Sequence, residues 1–425
     1  MKVIVIGGGF GGLRLARKLS NRSAFDVTLI DKHNYHEFQP LFYQVATAGL
    51  DASNISFPLR KVFHGSKNVR IKLAEVKQII SAQNKVVTDI GEFEYDVLVI
   101  ATGAGTNFFG NQSIIDHALP MKSTAEALEL RYRFLHNFEK AVSAKNEKDL
   151  LSLLTIIVVG GGPTGVELSG AIADMRKYVL PKDYPELDFS KMTIYLLEGL
   201  DKTLAAMTEA SSRDSRRYLE KLGVKVLTNT TLKEYDGVKA TLQNGETIDA
   251  ATLIWAAGVK GNVPEGIDKD LIAKGNRIKV DHQNRVEGLT NIYAIGDVAY
   301  LANEFYPNGH PQLSPVAIQQ ADILAKNLHL IETQSNKPLK DFIYTDKGTM
   351  ATVGRNLAVV DLTKPKLHFG GLFAWLTWML VHLFLTLGVK NRFFILLNWV
   401  YNYFTYDQNL RLIFRDYDSN KIPAK

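Results

Sequence analysis

A strand–glycine–helix unit occurs twice in this chain of 425 residues, and the duplication constrains its fold more than any other feature. Each copy has a short apolar strand, a G-x-G-x-x-G cluster and a helical pattern, at residues 2–6, 7–12 and 13–19 and again at residues 155–159, 160–165 and 166–174. Such units build parallel sheets whose faces are covered by helices. We therefore predict an α/β fold with two domains of this kind.

The glycine clusters favour the binding of dinucleotides. In such a cluster the first glycine makes the turn after the strand, the second lets a pyrophosphate approach the backbone, and the third lets helix and strand pack closely. The helix N-terminus then offers free N–H groups to the phosphates. The glycines in these roles are Gly7, Gly9 and Gly12 in the first cluster and Gly160, Gly162 and Gly165 in the second. Both domains are thus predicted to be Rossmann-like.

An acidic residue ends the second strand of each unit, the position that accepts hydrogen bonds from ribose hydroxyls in dinucleotide-binding proteins. Asp31 follows the first cluster at about the usual spacing of 20 residues. Glu198 lies farther from the second cluster, and residues 178–191, with Pro181 and Pro185, are the predicted insertion.

Two dinucleotide sites in one chain indicate one tightly bound flavin and one exchanging nicotinamide, because a hydride donor needs an acceptor. Three further predicted strands, at 95–100, 253–255 and 290–294, end in small residues that let the chain pass close to a cofactor. We interpret Asp297 as a ligand of the flavin ribityl hydroxyls; an Asp in this position also caps helices.

The same strands predict the domain boundaries. The flavin domain comprises residues 1–112 and 281–335, the nicotinamide domain is inserted at 113–280, and residues 336–425 form a separate C-terminal segment. The first apolar run leads into the glycine cluster without a signal-peptide cleavage site, so we expect the bulk of the chain in the cytoplasm.

The C-terminal segment is apolar and aromatic. Residues 372–389 carry His382 as their one titratable group and would span roughly 27 Å as a helix, short of a hydrocarbon core of about 30 Å. In the following run, four polar residues share one face of an otherwise aromatic helix: Asn391, Asn398, Asn402 and Thr405. We expect this helix to lie in the headgroup plane of a membrane. A core-packing helical hairpin and a membrane-spanning helix are the alternatives.

The net charge of +6 does not by itself identify a partner. No block of five like charges occurs, so no polybasic arm and no nucleic-acid partner are expected. Four basic residues near the apolar segment are expected to face anionic lipid: Lys390, Arg392, Arg411 and Arg415.

The absence of cysteine excludes thiolate zinc sites, Cys-ligated iron–sulfur clusters, cysteine nucleophiles and redox-active disulfides. The histidines His33, His36 and His382 are interpreted as core or loop residues, and no metal site is predicted.

Several segments together are typical of one family. They are residues 7–12, residues 34–46 (NYHEFQPLFYQVA), residues 101–103, residues 160–167, residues 294–297, residues 317–320 and the aromatic tail. With these motifs the sequence resembles the bacterial type II NADH:quinone oxidoreductases over essentially its whole length. The resemblance implies a monotopic enzyme on the cytoplasmic face of the inner membrane, with non-covalent FAD and no metal. It also implies hydride transfer from NADH to flavin, then transfer of two electrons and two protons to menaquinone or ubiquinone without proton pumping.

The resemblance also implies site residues. FAD would contact Gly7, Gly9, Phe10, Gly11, Gly12, Asp31, Lys32, Ala101, Thr102, Gly103, Gly296, Asp297, Ala317 and Ile318. NADH would contact Gly160, Gly162, Pro163, Thr164, Gly165, Glu198 and Gly258. A carboxylate at Glu198 would repel a 2′-phosphate, which predicts NADH over NADPH. A homodimer is left open.

Two positions of the pattern need separate interpretation. Glu167 matches a family glutamate assigned to proton handling or quinone-site communication, and its alternative role is that of a first-turn acid favoured by the helix dipole. Many members carry Ala-Gln where this chain has Ser314-Pro315, so the glutamine expected at the quinone is replaced by Pro315. Gln319 or Gln320 is the predicted substitute, with solvent exposure of Gln319 as the alternative.

Competing functions differ in what they require. Disulfide-reducing flavoproteins and sulfide:quinone oxidoreductases need cysteines, so the sequence excludes both. A soluble reductase of ferredoxin or rubredoxin type passes this test but does not explain the aromatic tail. A flavin-binding signalling protein that uses NADH to change shape is the alternative from another class.

Overall fold

The computed structural model describes residues 1–408 and 410–414. Their 13 α-helices are α1 (Phe10–Leu19), α2 (Phe42–Ala46), α3 (Ala52–Ile55), α4 (Leu59–Val62), α5 (Gln112–His117), α6 (Thr124–Val142), α7 (Glu147–Leu154), α8 (Pro163–Tyr178), α9 (Leu180–Asp183), α10 (Glu209–Lys221), α11 (Ser314–Glu332), α12 (Leu372–Leu385) and α13 (Val389–Thr405).

Strands are more numerous and mostly short. They are β1 (Lys2–Ile6), β2 (Asp26–Asp31), β3 (Tyr35–Glu37), β4 (Ser56–Pro58), β5 (Val69–Leu73), β6 (Val76–Ile80), β7 (Lys85–Thr88), β8 (Gly91–Glu94), β9 (Val97–Ile100), β10 (Ala104–Thr106), β11 (Leu119–Pro120), β12 (Thr155–Val159), β13 (Thr193–Leu197), β14 (Val224–Leu227), β15 (Leu232–Tyr235), β16 (Lys239–Leu242), β17 (Thr247–Asp249), β18 (Thr252–Trp255), β19 (Val259–Gly261), β20 (Ile272–Ala273), β21 (Arg277–Lys279), β22 (Ile292–Ala294), β23 (Ala299–Tyr300), β24 (Thr349–Gly354), β25 (Leu357–Leu362) and β26 (Leu367–Gly370).

The chain divides into two compact units, each assembled from three segments. The first unit comprises Met1–Glu37, Ser56–Gly105 and Val259–Thr345. The second comprises Phe38–Ile55, Thr106–Gly258 and the chain from Asp346 onward. The domain boundaries inferred from the sequence, at residues 112, 280 and 335, stay a prediction.

The first unit is built around a parallel five-stranded sheet with the strand order β22-β9-β1-β2-β5. Central β1 pairs on both sides, so that Val3 lies opposite Val27 of β2 and Val97 of β9. All four residues of β9 are buried, as expected for a continuous apolar strand in a parallel sheet. The carboxyl ends of these strands carry the first glycine cluster and Asp31.

A second parallel sheet of five strands organises the second unit, in the order β11-β18-β12-β13-β14. Every residue of central β12 is buried, and Ile156 lies opposite Ile194 of β13 and Thr252 of β18. The second glycine cluster and Glu198 follow β12 and β13. The fold class predicted from the duplicated unit, two Rossmann-like domains, is therefore confirmed.

The C-terminal part of the second unit contains a sheet that the sequence did not predict. Strands β24, β25 and β26 form a three-stranded antiparallel sheet ahead of helices α12 and α13. Helix α8 packs directly against it, because a Cβ atom on Gly170 would lie 1.4 Å from the carbonyl oxygen of Val353. Within the described residues, no helix combines the length and apolar character needed to cross a membrane.

Candidate functional site

The first glycine cluster forms a tight loop between β1 and α1. Gly7 has a φ of +103°, and a Cβ atom there would lie 2.3 Å from the carbonyl oxygen of Ala101. A Cβ on Gly12 would lie 1.9 Å from the carbonyl oxygen of Gly7, so helix and strand touch at this point. Around a Cβ on Gly9, by contrast, no atom of the described residues lies within 4 Å. The loop is thus closed at its two ends and open at the glycine that a pyrophosphate would approach.

Asp31 lies beside this loop with a fixed carboxylate. One of its oxygens accepts a hydrogen bond from the backbone N–H of Gly8 at 2.5 Å, and the other accepts one from the N–H of His33 at 2.6 Å. The buried imidazole of His36 supports the loop from the other side, through a 3.0 Å hydrogen bond between Nδ1 and the carbonyl of Gly8. The ring of Phe10 meets it edge-on.

Other residues predicted to hold the flavin lie in the same unit. A Cβ atom on Gly296 would lie 3.2 Å from Cβ of Ala317, and a Cβ on Gly11 would lie 3.5 Å from the Ala317 carbonyl, so α11 begins against the first loop. Thr102 donates a hydrogen bond to the carbonyl of Asn262 at 2.5 Å. Gly103 has a φ of +67°, with no atom of the described chain within 4 Å of an added Cβ.

The remaining flavin candidates have less specific surroundings. Lys32 is exposed, Ile318 is half-buried, and Asp297 lies in a short 3₁₀ turn, Gly296–Val298, where its carbonyl accepts a hydrogen bond from Gln312.

The second glycine cluster repeats the geometry of the first. Gly160 has a φ of +112°, and its added Cβ would lie 2.5 Å from the carbonyl oxygen of Ala256. A Cβ added to Gly165 would lie 1.9 Å from the carbonyl oxygen of Gly160. A Cβ added to Gly162 would have no other part of residues 1–408 or 410–414 within 4 Å. Pro163 and Thr164 are exposed at the start of α8.

Glu198 matches Asp31 in detail. Its carboxylate accepts hydrogen bonds from the backbone N–H groups of Gly161, at 2.5 Å, and Leu200, at 2.8 Å. Gly258 packs against residues 107–109. Its carbonyl accepts a hydrogen bond from the backbone N–H of Asn107, and an added Cβ would lie 3.0 Å from the ring of Phe109. The two loops are therefore two copies of one binding geometry.

The predicted quinone residues lie at the start of α11. Pro315 is exposed in the first turn of that helix. The amide of Gln319 exchanges two hydrogen bonds with the backbone of Thr345, at 3.0 Å and 2.9 Å. Gln320 is buried, and its amide oxygen accepts a hydrogen bond from the N–H of Gly296 at 2.7 Å. Either amide would have to leave these partners to contact a quinone.

A cavity of about 150 Å³ lies in the second unit, between α2, α8, the β24–β25 turn and the two C-terminal helices. Its polar lining includes Tyr43, Glu167, Asp174 and Arg355, and its aromatic lining includes Trp375, Trp399, Tyr403 and Tyr406.

Glu167 is the most buried acid of this cavity. Burial raises the pKa of its carboxyl to about 8. The N–H of Thr352, 3.4 Å from Oε1, acts in the opposite direction but is a weak, long hydrogen bond. The Trp378 indole also lowers this pKa, although its N–H makes no hydrogen bond of normal geometry within the described chain. A carboxyl with this pKa holds a proton at neutral pH and can release it.

Two of the four polar residues on α13 contact the protein backbone, and Thr405 is exposed. The Asn391 amide donates hydrogen bonds to the carbonyls of Ser53 and Asn54, and the Asn402 amide donates one to the carbonyl of Gly49. The periodicity showed which residues share a face. The backbone of residues 49–54, distant in sequence, supplies the acceptors for Asn391 and Asn402.

The outward face of the tail is apolar. Exposed large side chains on α12 and α13 are Leu372, Phe373, Leu376, Leu380, Phe384, Leu385, Val389, Phe393, Phe394, Leu396, Leu397, Val400, Tyr401 and Phe404. A patch of this extent on a protein surface marks a site of interaction.

The basic residues of the tail are partly engaged within the protein. Arg392 donates hydrogen bonds to the carbonyls of Thr386 and Phe384, and Arg411 forms an ion pair with Asp183. Lys390 lies over the ring of Phe394. Arg415 lies outside the described residues.

Sequence reasoning missed Asp174, Arg355 and the aromatic residues around them. The Arg355 guanidinium lies between the rings of Tyr403 and Tyr406, at 4.1 Å and 3.8 Å, and its backbone N–H donates to Asp174 at 2.9 Å. Asp174 was detectable in principle, because it lies seven residues after Glu167 and hence on nearly the same helix face.

Histidines were predicted not to ligate metal. His382 is stacked on Trp378 at 3.9 Å, and burial lowers its pKa to about 4, so it is a neutral core residue. In the part of the chain that the structure describes, no three His, Asp or Glu side chains are grouped as a metal site would require.

Comparison with known proteins gives two family matches. The pyridine nucleotide-disulphide oxidoreductase family matches residues 1–321, and the NDH2 C-terminal domain matches residues 347–406. Among curated relatives, the type II NADH:quinone oxidoreductase Ndh of Mycobacterium tuberculosis is 34% identical over 94% of this chain and 87% of its own length. The type II NADH:quinone oxidoreductase of Haemophilus influenzae is 29% identical over 85% of this chain and 87% of its own.

Solved structures show the same fold. NDH2 from Plasmodium falciparum in complex with NADH has a TM-score of 0.87 at 23% identity, covering 95% of this chain and 98% of that chain. The sulfide:quinone oxidoreductase of Aquifex aeolicus has a TM-score of 0.72 at 20% identity, with 95% of each chain covered.

Proposed function

Because this chain belongs to the type II NADH:quinone oxidoreductase family, we propose that it oxidises NADH through a flavin and reduces a membrane quinone. The observation that carries the proposal is the pair of matching loops, each open at its second glycine and each with a clamped carboxylate, in a chain without cysteine. Two dinucleotides and no thiol relay favour direct delivery of electrons to a second substrate.

We assign FAD to the first loop. The open space at Gly9 and Gly103 accommodates a cofactor that passes close to the backbone, and the start of α1 offers its N–H groups to a pyrophosphate. Asp31 would hold ribose hydroxyls, and Asp297 would hold the ribityl chain. FAD bound there would supply an acceptor for the hydride of NADH and a donor of electrons for quinone. No metal is part of the proposed reaction.

NADH is assigned to the second loop, with Glu198 as the ribose ligand. Since Glu198 is already ordered by two backbone N–H groups, it needs no rearrangement to accept hydrogen bonds from the 2′- and 3′-hydroxyls. Its negative charge would repel the 2′-phosphate of NADPH.

Replacing Glu198 with Ala should raise the KM for NADH about tenfold or more, because charge-assisted hydrogen bonds worth about 1.5–3 kcal/mol are lost. Glu198→Gln keeps an acceptor but removes the charge, so it should lose less NADH affinity and accept NADPH better. Exposed Glu246, replaced with Ala, is the control. An unchanged NADH/NADPH ratio in both variants would place the ribose ligand elsewhere.

Glu167 is proposed as the proton donor to quinone. Its buried carboxyl carries a proton at neutral pH, and it lies at the cavity that the C-terminal domain lines. In the first unit, Pro315 has no side-chain amide, and the amides of Gln319 and Gln320 are bonded to the backbone, so a quinone contact by α11 is proposed to be mainly apolar.

The exposed apolar face of α12 and α13 is proposed to dock on the cytoplasmic leaflet of the membrane. Helices of this kind lie in the interface with their apolar face among the acyl chains. Lys390 would face anionic headgroups. Quinone would reach the enzyme from the same lipid.

A soluble reductase of an electron-carrier protein is not favoured, because the NDH2 C-terminal domain matches residues 347–406. A stopped-flow experiment tests the proposed function directly. NADH should bleach the flavin absorbance, and menaquinone or ubiquinone should restore it within the turnover time. Bleaching that neither quinone reverses would contradict the proposal.

A further inference from the structure

Two acids lie on one face of α8, and both line the same cavity. Glu167 and Asp174 are seven residues apart, which is two helical turns and about 10 Å along the axis. Glu167 is buried, whereas Asp174 is partly exposed. Asp174 is therefore the more exposed of the two acids.

The size of this cavity favours water over a ligand. Its volume is about 150 Å³, whereas pockets for ligands of drug size measure about 300–1,000 Å³. A water needs about 10–15 Å³ of such space and two to four polar partners. Several waters would therefore fit, with polar partners on Tyr43, Asp174 and Arg355.

Tyr43 lies within electrostatic range of both acids. Its ring is buried, and burial together with the charges of Glu167 and Asp174 raises the pKa of its phenol well above the ordinary value. The phenol oxygen accepts a hydrogen bond from Gln44 at 2.8 Å, and the Gln44 amide oxygen accepts one from the indole of Trp399 at 2.7 Å. The hydroxyl is thus held in one place in the cavity wall.

Asp174 is suited to exchange protons with solvent. Burial raises its pKa to about 6, against the opposing effects of the Arg355 N–H and the charges of Arg355 and Lys177. Arg355 reaches it from the β24–β25 turn, Lys177 belongs to the same helix, and Tyr406 lines the cavity from the end of α13. Both protonation states are accessible near neutral pH.

We propose that Asp174 takes up protons from solvent and passes them through water in this cavity, past Tyr43, to Glu167. The inference rests on the proposed function, in which Glu167 protonates the quinone. Reduction of a quinone by NADH consumes one proton from solvent, since NADH supplies two electrons and one proton and the quinol carries two. Asp174 accepts that proton as a carboxylate and releases it toward Glu167, so each acid returns to its starting state after a turnover.

The test compares Asp174→Asn with Asp174→Glu and Asp183→Asn in the full-length holoenzyme. Asn preserves the acceptor for the Arg355 N–H but cannot carry a proton, and Glu restores the proton. Asp183 binds Arg411 of the tail and does not line the cavity, so it controls for loosened packing. Asp174→Asn should slow flavin reoxidation by quinone at least tenfold above pH 7, with flavin reduction by NADH unchanged. Asp174→Glu and Asp183→Asn should stay within about twofold of wild type.

Two further measurements separate a proton path from a structural effect. Formate or azide, small weak acids, should restore much of the rate of Asp174→Asn and have no effect on wild type. Infrared titration should lose one carboxyl band near pH 6 in Asp174→Asn. A normal rate, or a slow rate that neither acid restores, would overturn the proton path. If wild-type flavin reduced by NADH is not reoxidised by quinone, the proposed function itself fails, whereas the infrared result remains a separate test of Asp174.

Discussion

Serine in place of Phe373, Phe384 and Phe404 is expected to release the protein from liposomes and leave it folded. These side chains are 76%, 63% and 77% exposed, so their removal costs little core packing. Inserting a Phe side chain into an apolar phase contributes about 1.5–3 kcal/mol. For three residues the loss is at least about 4.5 kcal/mol, which is more than a thousandfold in partition. Co-sedimentation with vesicles of anionic lipid measures it.

A matched control exists in the first unit. Phe305 and Ile343 are 86% and 79% exposed, and their replacement with serine removes exposed apolar surface that does not belong to the two C-terminal helices. The control should pellet like wild type. If the triple variant also pellets like wild type, the apolar face of α12 and α13 does not dock on lipid. Thermal unfolding should be similar in all three proteins.

Replacing Glu167 with Gln is the second change with a large expected effect. General acid catalysis typically contributes about 10²–10⁴-fold, so reoxidation of reduced flavin by quinone should slow by at least a hundredfold. Flavin reduction by NADH should be normal, because Glu167 is not among the groups of the second glycine loop. Normal reoxidation would make this glutamate a structural residue.

The pH dependence provides an independent signature of Glu167. With a pKa raised to about 8, the wild-type carboxyl loses its proton as pH rises through 8, and quinone reduction should fall over that range. The Gln variant should lack this inflection. A raised pKa also means that the stabilising contribution of the neutral carboxyl is complete below the ordinary pKa near 4.5 and is lost as pH rises through 8. At pH 8 and above, Glu167→Gln should therefore be at least as stable as wild type.

The duplicated unit could be predicted closely because its signals are local. A strand, a glycine turn and an acidic strand end are each encoded within a few neighbouring residues, and the predicted strands at 2–6 and 155–159 coincide with β1 and β12. The antiparallel sheet β24–β26 was not predicted, since it depends on packing against α8, which is distant in sequence.

The orientation of the tail could not be deduced from periodicity. The spacing of Asn391 and Asn402 puts them on one helix face, but it fits a face turned to water as well as a face turned to protein. Only the fold shows that the backbone of residues 49–54, more than 300 positions earlier, supplies their hydrogen-bond acceptors. Asp174 was overlooked for a related reason. In the sequence, an acid in the last turns of a helix looks like an ordinary surface residue. The structure shows that the β24–β25 turn and the end of α13 pack around Asp174.

The distribution of tryptophan gives this protein built-in optical probes. Trp375 and Trp399 line the acidic cavity, and Trp378 is stacked on His382 beside them. Trp255 instead ends β18 near the second glycine loop, in contact with the rings of Phe108 and Phe109. In a Trp255→Phe background, the remaining tryptophan fluorescence originates wholly from the C-terminal helices. Insertion of these helices into vesicles containing brominated lipids would then quench the tryptophan fluorescence, and no label would have to be attached.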